Sequence, residues 1–185
     1  MAVAITGHTR GIGQGLAQAF AQRGETVVGF SRSTGWDITA ANTTQRMLEE
    51  VSRQNCHTLI LNAQAGFVQT NQLYAAFNLW KNFSDKTIIV LGSYSSHNTA
   101  ANRVHPYAVQ KAALDSAANQ LHKLGQCRLI NIRPGLVDTE RADKHYPNDN
   151  KRMSVDTLVK IILYAYDLPR DLLLQELVVI PRGLG

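Results

Sequence analysis

The chain has 185 residues and a formal net charge of +5, with 44% hydrophobic and 18% charged residues. This length suits one domain with a sizeable core over residues 1–185, and no change in composition marks a linker. Because lysines and arginines are dispersed rather than gathered in a stripe, we expect no nucleic acid partner. No apolar run approaches the length of a bilayer span, so we also expect no membrane partner.

The cysteines, the histidines and the first residues bear on location and metal chemistry. Cys56 and Cys127 lack metal or redox spacing, so we expect reduced thiols that pack inside a cytoplasmic protein. The six histidines form no H-x-x-x-H pair, and we therefore expect no metal site. The first residues lack the basic and apolar regions of a signal peptide, which agrees with a cytoplasmic location.

Apolar runs and helical periodicities alternate along the chain. Short apolar runs predict strands at residues 3–6, 26–31, 59–62, 87–92, 128–132 and 177–180. Helical spacing predicts helices at residues 12–22, 43–54, 71–80, 106–124 and 155–166. This alternation indicates an α/β fold, a Rossmann-type doubly wound parallel sheet with helices on both faces. Ligands of such a sheet bind at the carboxyl ends of the strands.

A glycine-rich turn follows the first predicted strand. The strand ends at Thr6, and Gly7, Gly11 and Gly13 lie between it and the body of the first helix. Glycines allow a tight turn close to a pyrophosphate, and the free N–H groups at a helix start attract its negative charge. The segment predicts a site for a mononucleotide or dinucleotide.

A tyrosine and a lysine lie four residues apart in the fourth predicted helix. Residues at this spacing share one helix face, so the Tyr107 phenol and the Lys111 ammonium can lie together. A nearby ammonium lowers the pKa of a phenol, which is otherwise about 10. The pair therefore predicts proton transfer to or from a substrate oxygen near neutral pH.

Five segments, in the same order, resemble motifs of the short-chain dehydrogenase/reductase family. Residues 6–13 are similar to T-G-x-x-x-G-x-G, and residues 107–111 are similar to Y-x-x-x-K. The others are the turn after Asn62, similar to N-N-A-G with one additional residue, the strand that ends in Ser93, and residues 134–139, similar to P-G-x-V-x-T. The chain is identified as a shortened member of this family. The second helix and most of the third strand that family members usually have are missing from its sequence.

The resemblance implies a catalytic group. Tyr107 would donate a proton in carbonyl reduction, Lys111 would lower the pKa of Tyr107 and bond the nicotinamide ribose, and Ser93 would polarise the substrate carbonyl. Ser93 is preferred because it directly ends the strand, and Ser95 is the alternative. Asn71 is the candidate for the helix asparagine that holds a proton-relay water.

Asn78 competes with Asn71 for that role. Residues 141–152 are predicted to form a mobile loop over the site. Asp37 begins a segment similar to the family's D-V-T element and would face the adenine, while Trp36 is expected to pack. The residues expected to bind the cofactor are Thr6, Gly7, Thr9, Arg10, Gly11, Ile12, Gly13, Ser31, Arg32, Asp37, Ile38, Asn62, Ala63, Tyr107, Lys111, Pro134, Gly135, Val137 and Thr139.

Charge decides which cofactor is expected. An acidic residue after the second strand would bond the ribose hydroxyls of NAD and repel a 2′-phosphate, but Ser31, Arg32 and Ser33 lie there. Arg32 therefore favours NADP(H), and Arg10 lies where NADP-dependent family members often carry a basic residue. Two guanidinium groups converging on one phosphate would form a charge-assisted site. NADP(H) is preferred, and NAD(H) is possible.

The implied activity is hydride transfer between the nicotinamide and a small carbonyl or alcohol substrate. The alternatives are a non-catalytic NADP(H)-binding sensor or regulator, and an epimerase or dehydratase acting on a nucleotide sugar. Tyr107 and Lys111 favour the enzyme, and the short carboxyl-terminal part leaves little room for an epimerase substrate domain. Family members commonly pair through the helices predicted at residues 71–80 and 106–124. We therefore expect a homodimer or homotetramer, although the alanines of the second helix could equally pack on the sheet.

Overall fold

The computed structural model describes residues 1–98, 104–149 and 151–182. The strands are β1 (Ala2–Thr6), β2 (Thr26–Phe30), β3 (Thr58–Leu61), β4 (Thr87–Leu91), β5 (Arg128–Pro134) and β6 (Glu176–Val179). The helices are α1 (Gly11–Gln22), α2 (Thr43–Arg53), α3 (Val68–Trp80), α4 (Pro106–Leu121), α5 (Glu140–His145) and α6 (Val155–Asp167). Short 3₁₀ turns follow β2 and β4, at Arg32–Thr34 and Tyr94–Asn98.

The six strands form one parallel sheet in the order β2-β1-β3-β4-β5-β6. The chain runs outward from β1 to β2 and then returns to add the other strands on the opposite side of β1. The direction of winding therefore reverses between β1 and β3, which is where ligands of such sheets bind. The predicted Rossmann-type α/β class is confirmed.

Helices cover both faces of this sheet. One face packs against α1 and α6, through Leu16, Phe20, Leu158 and Ile162. The other face packs against α2, α3 and α4, through Met47, Leu73, Phe77 and Leu114. Successive residues of a strand point to opposite faces, so with both faces covered the central strands are continuous apolar runs. Every residue of β3 and β4 is buried.

Several boundaries differ from the predicted ones. Helix α3 begins at Val68, three residues before the predicted start, and α4 ends at Leu121. The prediction of a loop over residues 141–152 is wrong in its first part, because Glu140–His145 form α5. Thr139 caps that helix by accepting a hydrogen bond from the Ala142 N–H at 3.3 Å. Strand β2 is the edge of the sheet, in agreement with the missing third strand.

Both cysteines lie in the core as free thiols, with Cys56 and Cys127 buried. Burial raises the pKa of Cys56 to about 11, so this thiol stays protonated and unreactive at neutral pH. Among the described residues, no cluster of His, Cys, Asp and Glu side chains is arranged to hold a metal ion. Nor do the described ranges contain a helix long and apolar enough to cross a membrane.

Candidate functional site

The glycine turn after β1 packs closely against the start of α1. Gly7 and Gly11 have φ values of +71° and +52°, in the left-handed region that favours glycine. A Cβ added to Gly13 would lie 2.1 Å from the Gly7 carbonyl oxygen, so no side chain fits there. Arg10 precedes α1 without a side-chain cap, and the first N–H groups of the helix therefore remain available to an anion.

Two predicted residues tie the end of β1 to the end of β3. The buried Thr6 hydroxyl accepts hydrogen bonds from the N–H groups of Asn62 and Ala63, both at 2.9 Å. The Asn62 side-chain amide donates to the Thr6 carbonyl at 3.0 Å. These bonds hold the turn after β3 beside the glycine turn, at the point where the winding reverses. Asn62 and Thr6 thus fix the relative positions of the two turns that border the site.

The segment after β2 packs against the glycine turn. The Ser31 hydroxyl lies 3.0 Å from His8 Nδ1, and the Ser33 hydroxyl donates to the Thr9 hydroxyl at 3.2 Å. Trp36 packs edge-to-face on Phe30, with ring centroids 4.8 Å apart, which confirms the expected packing role. Ile12 is partly buried against the core of the α1 face, and Ile38 is half-buried.

The two arginines expected to converge on a phosphate each contact a carboxylate instead. Arg32 Nε lies 3.1 Å from Asp37 Oδ2, and Arg10 Nη1 lies 3.7 Å from Glu140 Oε2. Both arginine side chains are exposed, at 77% and 83%. The pKa of Asp37 is lowered, mainly by hydrogen bonds from Thr39 and further by Arg32. Asp37 thus has two protein partners, Thr39 and Arg32.

Ser93, Tyr107 and Lys111 lie together after the carboxyl end of β4. The Ser93 side chain is close enough to the Tyr107 phenol to lower its pKa, and Lys111 Nζ lies 5.7 Å from the centroid of the Tyr107 ring. The buried Lys111 ammonium donates to the Leu91 carbonyl at 2.6 Å. Ser95 instead donates its backbone N–H to the Ser93 hydroxyl at 3.1 Å. The contacts therefore favour Ser93 over Ser95 as the partner of the tyrosine.

The pKa of Tyr107 shifts in the direction opposite to the predicted one. Burial raises it, and hydrogen bonding to Ser93 and the charge of Arg141 only partly oppose this. Burial also lowers the pKa of Lys111 to about 7, with a further decrease from Arg141 and an increase from Asp115. At neutral pH the tyrosine is a neutral phenol, and the lysine is near its midpoint of titration.

Gln69 of α3, which the sequence reasoning missed, is hydrogen-bonded to Lys111. Its buried amide accepts a hydrogen bond from Lys111 Nζ at 2.7 Å and donates to the Leu61 and Leu91 carbonyls at 2.5 and 3.1 Å. Asn71 is exposed, and the structure does not bring it to the tyrosine or the lysine. Gln69 was overlooked because it precedes the predicted start of α3.

A second set of contacts that was not predicted links Ser93 to Arg133 through Ser96. Arg133 is buried, with its Nε 3.0 Å from Asp115 Oδ2 and its Nη2 donating to the Ser96 hydroxyl at 2.6 Å. Arg133 also pairs with Glu176 of β6. The Ser96 hydroxyl then donates to the Ser93 carbonyl at 2.7 Å. These contacts tie Ser93 and the 3₁₀ turn that follows it to Arg133, near the end of β5.

The segment after β5 reaches the glycine turn. Pro134 ends β5, and the Gly135 N–H donates to the Val179 carbonyl at 2.8 Å. Val137 is buried, and the Thr139 methyl group would lie 3.3 Å from a Cβ on Gly11. Residues 134–139, which include four of the expected cofactor-binding residues, therefore lie against the predicted phosphate-binding turn.

No protein-family model matches the sequence, and a search of curated proteins finds none that matches it. Solved structures are similar to the chain over almost its whole length. An alcohol dehydrogenase from Thermococcus sibiricus, complexed with 5-hydroxy-NADP, is 17% identical with a TM-score of 0.79, covering 100% of this chain and 97% of that one. A 3-ketoacyl-(acyl-carrier-protein) reductase from Brucella melitensis, complexed with NADH, is 18% identical with a TM-score of 0.79, covering 98% and 97%.

A third similar structure is described as an oxidoreductase of the short-chain dehydrogenase/reductase family, from Burkholderia thailandensis. It is 18% identical with a TM-score of 0.74, covering 99% of this chain and 92% of that one. The chain therefore has the short-chain dehydrogenase/reductase fold.

Proposed function

We propose that this chain is an NADP(H)-dependent oxidoreductase of the short-chain dehydrogenase/reductase type. It would transfer a hydride between the nicotinamide and a small carbonyl or alcohol substrate. The observation that carries the proposal is the proximity of Ser93, Tyr107 and Lys111. They lie at the carboxyl ends of the strands, as the glycine turn does. Two of the similar structures, a dehydrogenase and a reductase, hold nicotinamide cofactors, which supports the reaction class.

The residues at this edge fit a nicotinamide dinucleotide. The backbone turn at Gly7, Gly11 and Gly13 packs against the start of α1 and forms a cradle in which the uncapped helix start would bind the pyrophosphate. Thr139 places residues 134–139 against that cradle, where they would hold the carboxamide. When bound, NADPH would supply the hydride.

Tyr107 would act as the proton donor in carbonyl reduction. Its raised pKa keeps the phenol protonated at neutral pH, so the donor is loaded when negative charge develops on the substrate oxygen. Ser93 would hydrogen-bond the same oxygen and orient it. Lys111, held by the Gln69 amide and the Leu91 carbonyl, would stabilise the phenolate that remains. We propose Gln69 as the α3 residue that positions the lysine.

NADP(H) remains the proposed cofactor, with NAD(H) possible. The contacts of Arg32 with Asp37 and of Arg10 with Glu140 are exposed ion pairs, which are weak in water. A 2′-phosphate carries more charge than one carboxylate and can replace Asp37 beside Arg32. No acidic residue lies directly after β2 to repel that phosphate.

The protein is also proposed to form a homodimer or homotetramer in the cytoplasm. Of the α4 alanines, Ala108, Ala117 and Ala118 are buried within the chain itself, so a partner would instead contact exposed apolar residues such as Tyr74 of α3 and Val109 of α4. The free, buried cysteines suit a reducing compartment. Mass measurement in solution tests this, and a monomer at all concentrations would contradict it.

The reaction is tested by NADPH-linked reduction of a panel of small aldehydes and ketones. Tyr107→Phe should lower kcat by about 10²- to 10⁴-fold, the range typical of a lost proton donor, while NADPH binding stays unchanged. Tyr164→Phe is the matched control, because that phenol is 68% exposed on α6 and has no part in the proposed site. Equal rates for wild type and Tyr107→Phe would refute the role of the tyrosine. NADPH binding without any turnover would support the sensor.

A further inference from the structure

A guanidinium group lies over the proposed catalytic tyrosine. Arg141 Cζ is 5.1 Å from the centroid of the Tyr107 ring, and the positive charge acts on both Tyr107 and Lys111. Arg141 Nη2 donates to Gln64 Oε1 at 3.3 Å, so its hydrogen-bond partner is neutral. Arg141 belongs to the short helix α5, directly after the segment that reaches the glycine turn.

The carboxylates nearest to Arg141 in the sequence are held by other cations. Asp138 and Asp143 both pair with Arg152, the former at 3.2 Å. Glu140 lies 3.7 Å from Arg10. Across the described parts of the chain, no carboxylate lies within ion-pairing distance of Arg141. Its charge is therefore unpaired next to the proposed reacting groups.

Neutral amides complete this side of the site. The Gln64 amide nitrogen donates to Gln110 Oε1 at 2.6 Å, and Gln110 lies on α4 between Tyr107 and Lys111. The loop after β3, helix α4 and helix α5 are thus joined around the half-buried tyrosine. This set has one exposed cation and two amides, and the carboxylate that acts on the tyrosine and the lysine, Asp115, is paired with Arg133. An anionic ligand group therefore suits it.

We infer that the substrate is an oxo acid or hydroxy acid whose carboxylate binds Arg141. This inference rests on the proposed function, because it assumes that Tyr107 transfers a proton to the carbonyl oxygen. The planar guanidinium fork matches a carboxylate through two parallel hydrogen bonds. Because Arg141 lies so close to the tyrosine ring, the carboxylate is separated from the reacting carbon by few bonds. The reacting compounds are therefore short 2-oxo or 3-oxo acids and their alcohols.

The test compares two acids with their neutral esters, pyruvate with methyl pyruvate and acetoacetate with methyl acetoacetate. Wild type should prefer at least one acid over its ester by 10-fold or more in kcat/KM, a ratio equal to about 1.4 kcal/mol. Arg141→Gln should lower kcat/KM for that acid by roughly 10- to 100-fold, mainly through KM, because a charge-assisted hydrogen bond is lost. The ester should change by less than about 3-fold, since it makes no ion pair.

Lys123→Gln is the matched control, because it removes the same charge at an exposed position beyond the far end of α4. Lys123→Gln should leave kcat/KM unchanged for both the acid and the ester. Equal losses for acid and ester in Arg141→Gln would overturn the inference, because Arg141 would then act on the tyrosine or the cofactor. Equal use of acid and ester by wild type would overturn it as well.

Calorimetric titration of each acid and ester into the protein with NADP⁺ separates this inference from the proposed reaction. Acid binding that requires Arg141, without turnover, would support the carboxylate site and contradict the oxidoreductase. Turnover of neutral carbonyls without acid preference would support the oxidoreductase and overturn the carboxylate site. If neither acid binds, the carboxylate site is refuted whatever the turnover.

Discussion

Two buried glutamines on α3 differ in hydrogen bonding and so allow a direct test of what stabilises the site. The side chain of Gln69 makes three hydrogen bonds, to Lys111, Leu61 and Leu91. Neither amide atom of Gln72 has a hydrogen-bond partner among the described residues, although Gln72 is 0% exposed. Methionine is similar in length and flexible, so Gln69→Met and Gln72→Met remove each amide without opening a large cavity.

The contacts predict opposite effects on the free energy of unfolding. In Gln69→Met, the buried ammonium of Lys111 keeps only one acceptor and the Leu61 carbonyl loses a donor, so we expect a destabilisation of about 2–4 kcal/mol. In Gln72→Met, removal of an unpaired buried amide relieves its desolvation cost, and the protein should be unchanged or stabilised by about 0–2 kcal/mol. The difference between the variants is therefore at least about 2 kcal/mol.

Urea unfolding at one pH measures both free energies, with unchanged m values as the check that the denatured states are alike. Turnover gives an independent measurement. Gln69→Met should lower kcat because Lys111 loses its positioning contact, whereas Gln72→Met should retain wild-type kcat. Equal destabilisation by the two substitutions, or full activity of Gln69→Met, would refute the proposed role of Gln69.

Three further predictions follow from the cradle and the buried lysine. Arg32→Ala should weaken NADPH binding more than NADH binding, as measured by fluorescence titration. The control Arg53→Ala on α2 should weaken the binding of neither cofactor. Equal effects of Arg32→Ala on both cofactors would contradict the role of Arg32 in binding the phosphate. Gly13→Ala should abolish measurable NADPH binding and destabilise the fold by about 1–3 kcal/mol in urea unfolding, because its Cβ meets the Gly7 carbonyl oxygen. Burial lowers the pKa of Lys111 to about 7 from 10.5, so between these values the unfolded chain binds more protons and stability rises with pH. The stability of wild type minus that of Lys111→Met, from urea unfolding at several pH values, should show this rise, at most about 1.4 kcal/mol per pH unit, and a flat difference would contradict it.

The fold was predictable because burial leaves a clear pattern in the central strands. After a first threonine, strands β3 and β4 are apolar to their ends, as expected of a parallel sheet covered on both faces. The starts of α1, α2, α4 and α6 were predicted to within one residue, although α6 alone among these four has a capping side chain. Helix α3 follows Phe67 without a side-chain cap, and its first turn was missed. Thr139 does cap α5, and that signal was present in the sequence but not used.

In the candidate site, contacts between residues near each other in sequence were predictable, and contacts between distant elements were not. The helical spacing of Tyr107 and Lys111 is local, and the structure brings the two together as predicted from that spacing. The contacts of Gln69 join α3 to carbonyl groups at the ends of two strands, which no spacing rule reveals. The ion pair between Arg32 and Asp37 was also missed, because each residue had been assigned separately to the cofactor.

Burial, rather than spacing, decides the protonation of the proposed reacting groups. A buried phenol and a buried ammonium both shift toward their neutral forms, so Tyr107 holds its proton and Lys111 loses its charge more easily. Arg141 lowers the pKa of both groups through its unpaired charge. A carboxylate bound to Arg141 would offset that charge and raise both pKa values. Binding of the inferred substrate would then keep the tyrosine protonated and charge the lysine, the two states that favour proton donation to a carbonyl oxygen and stabilisation of the remaining phenolate.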